Sequence, residues 1–102
     1  MEFEWDARKA AENLRKHKVS FVEAATVFGD FLSTTAADPV HSAGEHRYIT
    51  VGLSNLGRPL MVAHAGRGDR IRIISARTLT GREKRAYENT QAQGERRVAP
   101  RV

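Results

Sequence analysis

The segment that most constrains the fold is residues 68–77, where arginine and isoleucine alternate before the pattern becomes more apolar. Successive side chains of a β-strand point to opposite faces of a sheet, so the alternation is typical of a strand. Ile71 and Ile73 are predicted to enter a core, and the arginines beside them to lie on the other face. Ile74 breaks the period, which predicts a second half that is either covered on both faces or bulged. The segment is therefore interpreted as a central strand.

The same segment gathers positive charge beside a single carboxylate, Asp69. Its arginines are Arg67, Arg70, Arg72 and Arg77. A guanidinium group keeps its charge and offers a rigid fork of donors, which suits it to phosphate. The alternative is a solvated strand face that carries arginine for solubility. The cluster favours phosphate binding more strongly than any one of its members does.

Length and charge limit the class of protein. The chain has 102 residues, enough for one small domain with a single core. Its 17 basic and 12 acidic residues give a net charge of +5, which favours a polyanionic partner such as nucleic acid, although an acidic protein partner fits equally well. The absence of cysteine excludes disulfides and thiolate metal sites. No export signal or membrane-spanning window is found, so we expect a cytoplasmic protein without membrane contact.

The order of elements predicts an α+β domain. Asp6 stands at the N-cap of a first helix, Ser20 and Glu23 have capping-box spacing at the start of a second, and Thr80 begins a third that is predicted to end near Gln91. Short connections between the later strands predict an antiparallel meander. Predicted strands are 31–35, 47–53, 59–64 and the part of 68–77 that follows a tight turn at 67–69, with a brief edge strand or extended lead-in at 3–5.

These elements predict two N-terminal helices, a small antiparallel sheet and a C-terminal helix, with the helices against one sheet face. Residues 1–91 would form the single domain. Residues 92–102 would form a basic, flexible tail, because they contain little to bury.

The loop 36–44 is long for so small a domain, and long loops are either functional or mobile. Asp38, His41, Glu45 and His46 along this region have the chemistry of metal ligands. Their spacing matches no compact metal signature, so hydrogen bonds that stiffen the loop are the simpler interpretation. We predict no metal and no other cofactor.

Several short stretches match one family in their order and spacing. They are Phe3-Glu4-Trp5-Asp6, Asn13 to His17 with Val19-Ser20-Phe21, Glu23-Ala24, Phe28-Gly29-Asp30, Asp38-Pro39 with His41, Glu45 and Arg47, and Arg70 to Arg77 followed by Glu83 and Tyr87. Through them the chain resembles the BrnT toxins of bacterial type II toxin–antitoxin pairs, small ribonucleases with a fold like that of the RelE toxins. The chain departs from the family's usual proline at Ala7 and glycine at Lys18, and Lys18 is predicted to adopt a strained backbone conformation.

The resemblance implies a RelE-like toxin that cleaves RNA and thereby blocks translation. It also implies a BrnA-type antitoxin that covers the toxin and binds operator DNA through a ribbon-helix-helix part. Contact with DNA would then occur only through the antitoxin.

RNA carries its own nucleophile, the 2′-hydroxyl, so a small enzyme can cleave it without metal by aligning that oxygen and stabilising the extra negative charge. We assign Arg47 and Arg77 to the scissile phosphate, because both lie at strand ends and match family positions. The alternative for each is a structural ion pair with Glu45, Asp69 or Glu83.

Two candidates remain for acid–base catalysis, His64 and Glu45. His64 titrates in the useful range, but the resemblance does not support it, and a lone strand histidine is more often a packed or exposed residue. Further RNA contacts are assigned to Arg67, Arg70, Arg72, Arg82 and Lys84. The competing hypothesis is a non-catalytic nucleic-acid-binding module or a protein-interaction domain that uses the same basic face.

Overall fold

The computed structural model describes residues 1–42 and 44–98, with side chains up to residue 90. Its strands are β1 (Glu2–Glu4), β2 (Thr34–Ala37), β3 (Arg47–Leu53), β4 (Pro59–Arg67) and β5 (Arg70–Thr78). Its α-helices are α1 (Ala7–His17), α2 (Phe21–Thr26) and α3 (Gly81–Val98), and short 3-10 turns occupy Val27–Gly29 and Pro39–His41. The predicted α+β order is therefore confirmed.

The five strands form one sheet in the order β1-β5-β4-β3-β2. The central position predicted for β5 is confirmed, because β5 lies between β1 and β4. The predicted antiparallel sheet is wrong in one respect: β1 pairs with β5 in parallel, with Phe3 opposite Ile71, and the sheet is mixed. Helices α1 and α2 come between β1 and the other strands in the sequence. A connection of this length allows β1 to pair with β5 in parallel, which a short hairpin loop would not.

A bulge in β5 sets the direction of its later side chains. Ser75 pairs with Ala63 and Ile73 pairs with His64, so Ile74 is the extra residue that the broken alternation predicted. In a regular strand, residues 72 and 77 would face opposite sides, because they are an odd number of positions apart. The bulge instead leaves Arg72 and Arg77 on one face.

Helices α1 and α2 cover the other face of the sheet and enclose the core. Phe21 and Val27 pack there with Leu60, Val62 and Ile73, and all five are almost completely buried. This burial of apolar surface is the main stabilising contribution of the two helices.

Asn13 fixes α1 to β5 at the edge of this core. Its side-chain nitrogen donates to the carbonyls of Val19 (2.9 Å) and Ala76 (2.8 Å), and its side-chain oxygen accepts from the Ala76 amide (3.1 Å). Asn13 is 6% exposed, so all three bonds are shielded from water.

The helix ends test the capping predictions. Asp6 caps α1, accepting from the amides of residues 8 and 9. Lys18 ends that helix with φ 60°, the left-handed conformation that is unfavourable for a residue other than glycine. Ser20 caps α2 through the Glu23 amide, but the reciprocal half of the predicted capping box is wrong. The Glu23 carboxylate instead accepts from Ser54 Oγ (2.6 Å) and from Arg58, which ties α2 to the start of β4.

The strand predicted at 31–35 is misplaced, because β2 begins only at Thr34. The Asp30 side chain accepts from the Leu32 amide (3.0 Å), and the Asp30 carbonyl accepts from the Ser33 amide (3.0 Å). These local bonds make a turn, as aspartate commonly does. Phe31 is left 97% exposed at this turn.

Helix α3 contradicts the prediction that all helices lie against one sheet face. Val51 and Met61 are cross-strand neighbours, and Met61 also pairs with Arg77, so they lie on the arginine-bearing face. Ala86 and Tyr87 of α3 line a depression together with Val51 and Met61. The start of α3 therefore crosses the face opposite α1 and α2.

Helix α3 also continues beyond its predicted end, as far as Val98. The last part of the predicted tail, residues 99–102, lies outside the described residues. Among the described helices, none has both the length and the apolar character that crossing a membrane requires.

Candidate functional site

The sheet face opposite α1 and α2 carries arginines from two of its strands. Arg47 of β3 and Arg72 of β5 are both cross-strand neighbours of Ala65, so they flank one point on β4. Arg77 lies further along β5, on the same face because of the bulge. The bulge in β5 and the pairing register of β3, β4 and β5 place the arginines on one face of the sheet, which concentrates positive charge there.

Arg47 and Arg77 line the same hollow, whose volume is about 270 Å³. Ile49, Met61 and Ala63 of the sheet also line it. Three further lining residues come from elsewhere in the chain: His17 from the end of α1, and Asp38 and His41 from the loop after β2. The structure thus brings two predicted phosphate-contacting residues to one concave surface.

A two-bond ion pair holds Arg77 in place. Its Nη1 donates to Oε1 of Glu83 at 2.8 Å, and its Nη2 donates to Oε2 at 2.9 Å. The bonds from Arg77, with a smaller contribution from the Thr80 amide, lower the pKa of Glu83 to about 2. Arg77 keeps 38% of its side chain exposed, so the guanidinium is oriented and still accessible.

Thr80 and Glu83 also form the reciprocal capping box predicted for α3. The Glu83 amide donates to Thr80 Oγ1 (3.2 Å), and the Thr80 amide donates to Glu83 Oε1 (2.8 Å). One carboxylate therefore caps the helix and holds the arginine.

Glu45 connects two of the arginines. Arg72 Nη2 donates to Glu45 Oε1, and Arg47 Nε lies 3.8 Å from the same oxygen. The hydrogen bond from Arg72 is the main reason that the pKa of Glu45 is lowered. In the described part of the chain, Nε of Arg47 and Nε of Arg72 are buried without a hydrogen-bond partner. Glu45 is thus held as a carboxylate that orients arginines.

His41 and Asp38 form a further polar pair, and both line the hollow. His41 Nδ1 lies 2.9 Å from Asp38 Oδ2, across the turn Pro39–His41. The loop therefore contains a hydrogen bond of the kind that the sequence analysis favoured over a metal site. It also places both residues at the hollow, which the sequence analysis did not predict. The available signal was the Asp-Pro-x-His order a few residues before Arg47.

Comparison with known proteins assigns the chain to a family. Residues 5–83 match the family model described as the ribonuclease toxin BrnT of type II toxin–antitoxin systems. The chain belongs to the BrnT family. The match includes Asp38, His41, Arg47 and Arg77 of the hollow, and also Glu83, which holds Arg77. Membership of a type II toxin family implies an antitoxin partner.

A solved structure supports the same fold. The chain is similar to the Brucella abortus ribonuclease toxin BrnT, known from a crystal structure at 1.1 Å resolution. The two share 25% sequence identity, the match covers 78% of this chain and 97% of the Brucella chain, and the TM-score is 0.61. Comparison with curated proteins gives no match.

His64 lies on the opposite side of the sheet from the hollow of this BrnT-family chain. Its side chain is 6% exposed, with Nε2 2.7 Å from Thr50 Oγ1 and the ring 4.8 Å from that of Phe28. Burial lowers its pKa. The structure therefore does not bring His64 together with Arg47 and Arg77, because alternation along β4 directs it to the core.

The remaining predicted RNA contacts do not line the hollow. Arg67 ends β4 and acts electrostatically on Glu45. Arg70 is drawn towards β1, with its guanidinium nitrogens 3.3 Å from Glu2 and 3.8 Å from Glu4. Arg82 and Lys84 are exposed on the first turn of α3.

Among the described residues, no three histidine or carboxylate side chains are grouped as a metal site requires.

Proposed function

We propose that this BrnT-family chain is an endoribonuclease toxin that cleaves RNA in the hollow between Arg47 and Arg77, without a metal ion. The observation that carries the proposal is the convergence of these two arginines, from separate strands, on one accessible concave surface. RNA supplies the nucleophile, so the protein needs to align the backbone and stabilise the charge that develops on phosphorus.

The ion pairs around the hollow suit this task. Oriented guanidinium groups stabilise a phosphorane-like transition state without reorganising during the reaction. Glu83 orients Arg77 through two hydrogen bonds, and Glu45 holds Arg72 next to Arg47. In this proposal Glu45 positions the arginines and takes no proton, because its lowered pKa makes it a weak base.

Basic residues outside the hollow extend the positive surface that the RNA strand follows. Arg67 and Arg72 strengthen the field on the sheet face, and Arg82 and Lys84 extend it along α3. Arg70 contributes least, because two glutamates already neutralise it. The net charge of +5 favours association with a polyanion, and this term weakens as salt concentration rises.

In the cell, the proposal assigns RNA cleavage to the cytoplasm, with arrest of translation as its consequence. The antitoxin implied by the family would be of the BrnA type, covering the toxin with one part and binding operator DNA with a ribbon-helix-helix part. The fold would be RelE-like, as the resemblance implies.

Replacement of Arg77 tests the nuclease assignment. We expect Arg77→Gln to lower the rate of RNA cleavage by about 100-fold, because it removes a donor to the transition state. RNA affinity should change less than about threefold, because several other cations still contact the strand. Cleavage of a labelled single-stranded RNA and fluorescence-anisotropy binding measure the two effects. Arg8→Gln, an exposed arginine on α1, is the matched control.

The competing binding-module hypothesis predicts a different result. Purified protein would leave RNA intact, and Arg77→Gln would weaken binding with no cleavage to lose. Inhibition of a translation extract without any RNA cleavage would also refute the nuclease proposal.

A further inference from the structure

We propose that His41 is the general base of the reaction and that Asp38 is its positioning residue. This inference rests on the proposed function, since it assigns the proton transfer that RNA cleavage in the hollow requires. The sequence analysis considered Asp38 and His41 as metal ligands or as hydrogen-bonding residues of the loop, and assigned no catalytic role to either.

The geometry of the pair fixes which nitrogen can act. Asp38 lies 2.9 Å from Nδ1 of His41 and accepts its hydrogen, which leaves the lone pair of neutral imidazole on Nε2. Asp38 is 14% exposed and His41 is 65% exposed, so the carboxylate is anchored while the ring remains open to the hollow. A carboxylate that orients an imidazole in this way is a recurring arrangement for general bases.

The loop is tied to the residue that is proposed to hold the phosphate. The Asp38 amide donates to the carbonyl of Arg47 at 2.8 Å. The Arg47 amide donates to Ser42 Oγ at 3.0 Å, and that hydroxyl donates to the Asp38 carbonyl. Short hydrogen bonds therefore join the loop that carries the proposed base, His41, to the proposed phosphate-binding residue, Arg47. These bonds limit variation in the distance between the two residues.

The other candidates fit the role less well. Glu45 and Glu83 accept hydrogen bonds from arginines that lower their pKa values. His64 faces the core on the other side of the sheet. His17 lines the hollow, but among the described residues no carboxylate lies within ion-pair distance of it.

The step balances with water as the only further reactant. Neutral Nε2 of His41 takes the proton of the 2′-hydroxyl as the 2′-oxygen bonds to phosphorus. The bond from phosphorus to the 5′-oxygen breaks, and the leaving 5′-oxygen takes a proton from water in the open hollow. The products are a 2′,3′-cyclic phosphate and a 5′-hydroxyl, and the imidazolium returns its proton to water.

Besides His41, the titratable and charged side chains that line the hollow are those of Asp38, Arg47, Arg77 and His17. His17 is therefore the one other imidazole among them. A pH profile measured on variants of both histidines can therefore separate their contributions.

The test uses the full chain and a 5′-labelled single-stranded RNA of mixed sequence. We expect His41→Asn to lower the cleavage rate by about 100-fold and to change RNA affinity less than about twofold. The matched control is His46→Asn, an exposed histidine five residues away that does not line the hollow, and it should cleave like the wild type. Thermal unfolding of each variant checks the fold.

Two further measurements isolate base catalysis. The wild-type rate should rise with pH through a single ionisation that His17→Asn retains and His41→Asn loses. Asp38→Asn should lower the rate by about 10-fold and displace that ionisation, as loss of an orienting carboxylate does. Added imidazole should restore at least about 10-fold activity to His41→Ala and none to Arg77→Gln.

Several results would overturn the inference. Wild-type cleavage by His41→Asn, equal loss of cleavage and RNA affinity, or no imidazole rescue would each exclude His41 as the base, while leaving RNA cleavage by the wild type intact. If the wild type does not cleave RNA at all, the proposed function fails first and this inference fails with it.

Discussion

Glu83 connects the stability of the fold to the candidate site, and its replacement by glutamine tests that connection. Glutamine keeps the shape of the side chain and an oxygen for the Thr80 amide, so the helix cap is retained. Glutamine has no negative charge to attract Arg77, which in the wild type donates two hydrogen bonds to the Glu83 carboxylate. We therefore expect the variant to lose the charge-dependent part of the contact only.

The size of the effect follows from the pKa of Glu83, which is lowered from 4.5 to about 2. One pKa unit corresponds to about 1.4 kcal/mol. If the whole pKa shift were coupled to folding, the ion pair would add about 3 kcal/mol to the free energy of unfolding. Glu83 is 31% exposed and Arg77 is 38% exposed, and solvent screens such a pair. We expect Glu83→Gln to reduce the free energy of unfolding by about 1 to 2 kcal/mol at pH 7.

The sign of the pH dependence is determined by the lowered pKa. The folded state favours the carboxylate, so the contribution is complete above the unfolded value of 4.5 and is lost as the pH falls towards about 2. At pH 3, the difference between wild type and variant should be roughly half its value at pH 7 or less.

Urea unfolding measured through the fluorescence of Trp5, the single tryptophan, provides the assay. Its ring packs edge-on to Phe21 with centroids 6.0 Å apart, so loss of the core changes its environment. Glu88→Gln, an exposed change on the same helix, is the control and should stay within about 0.5 kcal/mol of the wild type. A Glu83→Gln difference that is equal at pH 7 and pH 3, or absent at both, would refute the reasoning.

Three further predictions concern the framework of the site, and urea unfolding measures each of them. Asn13→Ala should reduce the free energy of unfolding by about 3 kcal/mol, because it leaves the buried amide and carbonyl of Ala76 without partners; a loss below about 1 kcal/mol would contradict this. Gly52→Ala should cost about 1 to 3 kcal/mol, since its Cβ would lie 2.8 Å from a neighbouring side-chain carbon, whereas Gly66→Ala meets nothing within 4 Å and should not share this cost. Lys18→Gly should stabilise the protein by about 1 kcal/mol by relieving its positive φ, and an unchanged midpoint would argue against strain there.

Local structure was largely predictable from the sequence, because its causes lie within a few residues. Asp6 and Thr80 cap the helices that they were predicted to start. Strand β3 has the predicted bounds, and Ile74 marks a bulge where the alternation breaks. Family membership was also predictable, because the order and spacing of short motifs survive in the chain itself.

The faces of the sheet were harder to predict. Alternation along β4 and β5 shows that two faces exist, but packing decides which one is covered. Here α1 and α2 cover the face of His64, and α3 starts on the face of Arg77. His64 therefore became a core residue, although its position next to the arginine strand had made it a candidate for catalysis.

Local sequence was sufficient to predict most of the helices and strands, the N-caps at Asp6, Ser20 and Thr80, the basic charge and the family. The parallel pairing of β1 with β5, the hollow shared by Arg47 and Arg77, and the position of His41 and Asp38 at that hollow become apparent only in the folded chain. They could not be predicted because they depend on contacts between distant parts of the sequence. Caps and bulges depend on neighbouring residues, whereas the hollow depends on strand pairing and helix packing between residues that are far apart in sequence.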